Sequence, residues 1–289
     1  RGGGPLMPLY QVVVLAVVQG MTEFLPISST AHLALVPWVF GWKDPGLSFD
    51  IALHLGTLVA VAAYFARTWI RVLFLALGRR VLAPAPGDPD HDLYTNPRLF
   101  GFLVVATIPA GLAGLALESY AETTLRSPYI IAFMMITVGL FLGWVERRGV
   151  FSKDLGRVTL ADSLIIGVAQ ALAVVPGTSR SGITMAAALL RGVGRAPAAR
   201  FSFLLSTPII AGAAAKASFD LLRIGIPGDM WIPFAAGIVI SGLTGYLVIA
   251  WLIRYLQTST FVFFVWYRII CGIMILALAF FFRDPAMAP

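Results

Sequence analysis

The chain has 289 residues, 59% of them hydrophobic and 12% charged, with a formal net charge of +7 and a mean hydropathy of +0.87. A soluble domain carries about 25% charged residues, so this composition excludes an ordinary soluble enzyme and describes a polytopic membrane protein. The basic excess forms no dense run, which excludes a nucleic-acid surface, and the lone Cys271, inside an apolar stretch, excludes an intrachain disulfide or a CxxC metal site.

Residues 1–6 read as a cloning remnant, which leaves residues 7–283 as a single membrane domain. The first apolar run, YQVVVLAVVQGM (10–21), leads straight into TEFLPISSTAH (22–32), so the region 9–40 is interrupted by a polar, proline-bearing knot. Full spans are expected over 47–66, 99–118 and 129–146. Between the first two of these, 67–80 reads as an amphipathic helix at the cytoplasmic interface. The stretch APAPGDPDHD (83–92) reads as a surface connector with no metal role. A second interrupted region, 158–191, carries VVPGTSRSG (174–182), and three further spans follow over 201–219, 231–253 and 261–282.

Non-helical backbone at membrane depth is tolerated only where protein or water lines it. Each interrupted region is therefore read as a re-entrant pair of half-helices; two ordinary spans, giving eight crossings, is the alternative. Pro26 and Pro176 are 150 residues apart, an offset that also pairs Ser28 with Thr178 and Ser29 with Ser179. FDIALHLGTLVAVAA (49–63) aligns with FSFLLSTPIIAGAAA (201–215). The fold class expected is an all-α polytopic membrane protein with an inverted-topology repeat. Repeat 1 covers about 7–146 and repeat 2 about 158–283, each a re-entrant hairpin plus three transmembrane helices. Counting crossings puts most Lys and Arg, among them Arg67, Arg147, Arg148, Lys153 and Arg191, on one side, which is then cytoplasmic. The first hairpin enters from outside, the second from the cytoplasm, and their tips meet in the bilayer.

The second knot places Gly177, Thr178, Ser179, Arg180 and Ser181 before the apolar helix ITMAAALL. Hydroxyls at a helix start are capping signals, and the N–H groups and dipole there favour anions. Arg180 adds a permanently charged fork suited to phosphate, and Gly177 lets backbone approach closely. In the first knot, Gln19 and Glu23 share a helix face at i and i+4. Ser28, Ser29 and Thr30 open the next half-helix, and His32 follows. Carboxylate, hydroxyl, imidazole and arginine converging on an anion make a nucleophile, base and charge clamp. The plainer readings are a structural Glu23–Arg180 ion pair, hydroxyls that only cap, and a His32 that is only a hydrogen-bonding partner. Asp50 and His54 are weaker candidates for lining the cavity, and Arg268 and Lys216 read as structural or snorkelling.

QGMTEFLPISSTAH and PGTSRSGIT together resemble the bacterial undecaprenyl pyrophosphate phosphatase family, the BacA-type enzymes. That family carries an (E/Q)xxxE element, a P-x-SST-x-H stretch and a PGxSRSxxT element, met here by Gln19–Glu23, Pro26 to His32 and Pro176 to Thr184. The resemblance covers essentially residues 7–283. It implies a multi-pass enzyme of the bacterial cytoplasmic membrane that converts undecaprenyl pyrophosphate to undecaprenyl phosphate and so recycles the cell-wall lipid carrier. It further implies reduced bacitracin sensitivity and a divalent cation, Mg2+ or Ca2+.

The site expected from this resemblance and the residues together has Glu23, Ser29, Arg180 and His32 as catalytic groups. Gln19, Ser28, Thr30, Gly177, Thr178, Ser179 and Ser181 bind substrate, and Glu23 with Gln19 hold a substrate-borne metal. Ser29 is the preferred nucleophile with Glu23 as base; His32 as nucleophile or leaving-group acid is the alternative. The site is expected to open outward. The oligomeric state stays open, a homodimer being one option. The rival function is a polyprenyl-phosphate carrier or flippase using the same split anion site.

Overall fold

In the computed structural model, residues 7–43, 46–79, 91–224 and 230–281 are described. Residues 1–6 and most of the 83–92 connector lie outside them. The described residues form α-helices and short 3-10 turns, with one isolated bridge between Lys153 and Val193. The helices are α1 (Leu9–Thr22), α2 (Ser29–Phe40), α3 (Leu47–Tyr64), α4 (Ala66–Ala76), α5 (Leu99–Thr123), α6 (Pro128–Arg148), α7 (Leu160–Ala171), α8 (Arg180–Leu190), α9 (Arg195–Ile224), α10 (Trp231–Thr258) and α11 (Val262–Phe281).

Five of these helices are long and apolar enough to cross a membrane, and six if α3 and α4, bent by 63° at Phe65, count as one span. They are the six spans expected from the sequence, so the protein is a multi-pass, all-helical membrane protein. Its lipid-facing character is visible in side chains such as Leu112, Leu115, Phe133, Leu247 and Ile270, which stay exposed on the bundle exterior. The buried set includes Gln19, Glu23, Ser181, Ser241 and Arg268. Polar groups in a membrane protein face the bundle interior because lipid offers them no hydrogen bonds.

Both polar knots break a helix, and the breaks have local causes. Pro26 and Pro176 supply no N–H and push the preceding residue out of the helical region; Val175 accordingly is extended, at φ −78° and ψ 118°. α1 ends at Thr22 and α2 restarts at Ser29; α7 ends at Ala171 and α8 restarts at Arg180. The outer end of the second hairpin is set by a capping box, in which Thr159 Oγ1 accepts from Asp162 N–H and Asp162 from Thr159 N–H. Asp162, fully buried, also pairs with Lys153 and Arg191, and so ties the two ends of the α7–α8 hairpin together. Asp92, expected within a solvated connector, is an anchor instead: Arg200 pairs with it at 3.0 Å and Leu155 N–H donates to it.

Small residues let the helices lie close. α1 and α3 both pack on α10, and α5 packs on α7. A Cβ on Gly20 would stand 2.6 Å from Thr244 Cβ, and one on Gly167 would stand 2.5 Å from the Ala106 carbonyl oxygen. At Gly56 a Cβ would collide with Ser241 Oγ and the Ile238 carbonyl. Such close backbone approach replaces the hydrophobic drive that helices lack in lipid. The Gly56→Leu variant should therefore lose at least the ~1–3 kcal/mol of a badly overpacked site. Thermal unfolding of the detergent-solubilised protein by intrinsic fluorescence checks this, with a clearly lowered midpoint expected.

Candidate functional site

The two helix breaks lie against each other inside the bundle. Ser181 Oγ, on the first turn of α8, donates to the Leu25 carbonyl at 2.9 Å, and Gly177 N–H points at Thr30 Oγ1 at 3.5 Å. Arg268, on α11 and fully buried, binds both breaks at once. Its guanidinium donates to the Pro26 carbonyl at 3.2 Å, to Gly177 and Thr178 at 3.0 Å each, and to Met134 and Met135 of α6 at 3.2 and 3.1 Å. Of the two readings given to Arg268, structural and snorkelling, the structure shows the first.

Around this clamp the polar side chains singled out in the sequence assemble. Arg180 Nη2 donates to Glu23 Oε1 at 3.0 Å, across 157 positions of sequence. Ser29 Oγ donates to Glu23 Oε2 at 2.8 Å, and Gln19 Nε2 donates to the same oxygen at 3.2 Å. His54 Nε2 stands 3.9 Å from it, with the ring fixed by a 2.8 Å contact from Nδ1 to the Asp50 carbonyl. Glu23 is 8% exposed and Arg180 12%, so the pair is nearly dehydrated, whereas His54 is 37% exposed and marks the open side. Two polar atoms in this cluster are buried with no protein partner: Arg180 Nη1 and Gln19 Oε1.

The two half-helix starts share a backbone form. Ser28 and Ser179 are the non-glycine residues with positive φ among those described, at 77° and 66°. Such a conformation costs about 1–3 kcal/mol and persists only where the surroundings impose it. These two N-caps are 151 residues apart, one step from the offset read in the sequence, so Ser28 matches Ser179 and Ser29 matches Arg180. Their hydroxyls behave differently. Ser179 Oγ caps α8 by accepting from Gly182 N–H at 3.2 Å, while Ser28 Oγ makes no such bond and contacts Thr30 Oγ1 at 3.1 Å.

The remaining expected site residues divide accordingly. Thr178 is fully buried and its hydroxyl donates to the Val175 carbonyl at 2.6 Å; Ser179 and Ser181 are held by protein groups as described. Gly177 does permit a close backbone approach, but to α6: a Cβ there would collide with the Ile131 carbonyl. Thr30 is exposed and Ser29 half-buried. His32, 7% exposed, contacts the Ser28 carbonyl through Nδ1 at 2.7 Å and the Tyr267 hydroxyl through Nε2 at 2.6 Å. Tyr267 was not anticipated; its only sequence signal is a polar tip beside Arg268 in an otherwise apolar span.

The family described as Bacitracin resistance protein BacA matches residues 12–274. The chain belongs to this family. It is 45% identical over 273 residues to a Pelotomaculum thermopropionicum protein named undecaprenyl-diphosphatase, covering 94% of this chain and 97% of that one. Proteins of the same name from Desulforudis audaxviator and Moorella thermoacetica are 48% and 46% identical, over 93% and 94% of this chain and 97% and 98% of theirs.

The clamp can be tested directly. Arg268→Met leaves the loop carbonyls of Pro26, Gly177 and Thr178 without this donor, each unmet group costing about 1–3 kcal/mol. It should fail to yield monodisperse protein on size-exclusion chromatography in detergent. Arg268→Lys, with three donors on one nitrogen, should yield protein with a lowered melting midpoint.

Proposed function

We infer that the protein is a membrane phosphatase that hydrolyses undecaprenyl diphosphate to undecaprenyl phosphate and inorganic phosphate, by way of a serine nucleophile. The observation that carries the mechanism is the Ser29–Glu23–Arg180 chain, in which one carboxylate accepts the nucleophile's proton on Oε2 and orients the phosphate-binding cation on Oε1. The Ser29 O–H bond breaks toward Glu23 as Ser29 Oγ bonds the terminal phosphorus, and the bridging P–O bond breaks to release undecaprenyl phosphate. Glu23 passes that proton to the departing phosphate oxygen; water then attacks the phosphoserine, its proton goes to Glu23 and from there to Ser29 Oγ as the P–Oγ bond breaks and inorganic phosphate leaves.

Phosphoryl transfer is mostly positioning and charge stabilisation. Arg180 Nη1, buried and unpartnered, is the donor left over for the transferring phosphoryl oxygens. The uncapped first turn of α2 supplies backbone N–H groups at the same place, favourable to an anion. His32 has both ring nitrogens engaged, which favours Ser29 over His32 as nucleophile and leaves His32 to hold the turn.

The residues also fit a divalent cation carried in by the pyrophosphate. Gln19 Oε1 is a buried acceptor with no donor, one bonded turn from the Glu23 carboxylate. Mg2+ is commonly held by one or two protein oxygens plus substrate phosphates. When bound, such an ion neutralises developing phosphate charge.

The inverted repeat is supported by matched packing: α1 on α10 is paralleled by α7 on α5, and α6 packs on its counterpart α11. Gln19 and Gln170 fall at the same 151-residue separation as the two N-caps. Exposed Arg147, Arg148 and Arg157 support, by the positive-inside rule, an orientation in which their side is cytoplasmic and the site opens outward.

Phosphate release from undecaprenyl diphosphate by the purified protein tests the reading. Ser29→Ala, Glu23→Gln and Arg180→Ala should each lose about 10²-fold or more in kcat, the size of a transition-state contact. Wild-type protein that binds the lipid but releases no phosphate overturns the enzymatic reading. Chelation should also suppress release, Mg2+ or Ca2+ should restore it, and Gln19→Leu should need more cation for half-maximal activity.

A further inference from the structure

The two strained N-caps pose a problem with different solutions. At Ser179 the helix is regular: Ile183 N–H donates to the Ser179 carbonyl at 2.9 Å and the Ser179 side chain caps the first turn. At Ser28 the corresponding backbone bond, from His32 N–H, is stretched to 3.4 Å and there is no side-chain cap. The short bond to the Ser28 carbonyl comes from the His32 ring, at 2.7 Å. A carbonyl can only accept, so Nδ1 carries the hydrogen. In the neutral ring Nε2 is then a bare acceptor, in a nearly buried place.

Tyr267, on α11 and 235 residues away, meets that acceptor at 2.6 Å, its ring stacked on the imidazole at an interplanar angle of 15°. Which imidazole nitrogen carries the proton is set by the bond the other makes. We propose that Tyr267 is a positioning residue for phosphoryl transfer: its hydroxyl fixes His32 in the Nδ1–H form, and that ring holds Ser28 left-handed so that the adjacent Ser29 stays on Glu23. Without the hydroxyl the ring is free to adopt the other tautomer, which turns a lone pair on the Ser28 carbonyl and releases the short bond to that carbonyl. The arrangement also explains why Ser28 Oγ need not cap α2. The ring restrains the carbonyl side of the turn, and the first-turn N–H groups stay open for phosphate. Arg268, the next residue on α11, fixes the same loop at Pro26, so consecutive side chains of one helix define both ends of the short segment that leads to Ser29.

The inference rests on the serine-nucleophile reading, and the test separates the two. The chain has three histidines, His32, His54 and His91, so 15N-histidine NMR of the detergent-solubilised protein resolves His32 once His54→Gln and His91→Gln spectra assign the others. Wild type should show His32 protonated at Nδ1 with Nε2 a hydrogen-bonded acceptor, whether or not the protein turns over lipid. Tyr267→Phe should shift the His32 Nε2 resonance toward that of an unbonded nitrogen or a tautomer mixture. It should lower kcat for phosphate release about 10- to 100-fold with KM little changed, the size expected when a histidine loses its orienting partner. In a His32→Gln background the same substitution should cost nothing further. Unchanged His32 resonances, wild-type activity of Tyr267→Phe, or losses that multiply with His32→Gln each overturn the proposal. A wild-type protein with the expected NMR signature but no phosphate release removes the phosphatase reading instead.

Discussion

A membrane interior gives a broken helix nothing to bond with, and the Arg268 guanidinium is what makes the breaks in this bundle tolerable. Each interrupted helix leaves carbonyls without an N–H partner, at a depth where lipid cannot satisfy them. One side chain donates to three of them, Pro26 of the first break and Gly177 and Thr178 of the second, and also to the Met134 and Met135 carbonyls of the continuous helix α6. No carboxylate is among its partners in these bonds. The charge is instead dispersed over oriented backbone dipoles, and the planar five-donor fork of arginine suits that role as lysine would not. Because the same group holds both loops, the distance between them is fixed, and with it the reach of Arg180 to Glu23.

From that fixed distance follows the asymmetry between the hairpins. Both restart their helices from a left-handed serine, and both set a second hydroxyl two residues on, Thr30 and Ser181. In the second hairpin those hydroxyls serve the fold: Ser179 caps its helix and Ser181 donates to the Leu25 carbonyl. In the first they do not cap, and the residue after the left-handed serine is Ser29 where its counterpart is Arg180. One hairpin therefore contributes a serine hydroxyl and a carboxylate, the other a guanidinium. A site divided this way cannot form until both halves are packed, so Ser29 and Arg180 meet on Glu23 only in the folded bundle.

Much of this was legible because its causes are local. Pro26 and Pro176 break helices by their own covalent structure, and the apolar spans follow from the lack of charge over about 20 residues. Glu23, Ser29 and Arg180 could be singled out because a carboxylate, a hydroxyl cluster and a guanidinium in such runs have few other uses. The allocation of hydroxyls was not legible, since Ser28 and Ser179 are the same residue in the same conformation and differ only in what lies beside them. Tyr267 and the role of Arg268 were hidden for a related reason. Their partners are loop carbonyls and a ring nitrogen 90 to 242 residues distant, and backbone acceptors leave no trace in side-chain sequence. The match between the two knots was read one residue out of register with their caps, because the prolines align at 150 whereas the left-handed serines align at 151. Asp92 was read by its neighbours, the Pro and Asp of a connector, when its structural partners Arg200 and Leu155 come from elsewhere in the chain.

The rival assignment to a carrier fails on the cost of Glu23. A buried ion pair is weak evidence for stability, since apolar replacements are often as good, so the Glu23–Arg180 pair is not explained by holding the bundle together. A carrier for a phosphate headgroup would want the Arg180 guanidinium free, because a carboxylate at 3.0 Å competes with the cargo for that cation and repels its charge. The carboxylate is useful only if it does something to the substrate. Its second oxygen accepts from a serine hydroxyl that stands beside a left-handed turn and an uncapped helix start. A carboxylate that lowers anion affinity while accepting from a serine hydroxyl is an arrangement that favours reaction over passage, and the unpartnered Nη1 of Arg180 leaves the guanidinium one donor for an anion even while Nη2 keeps Glu23 in place.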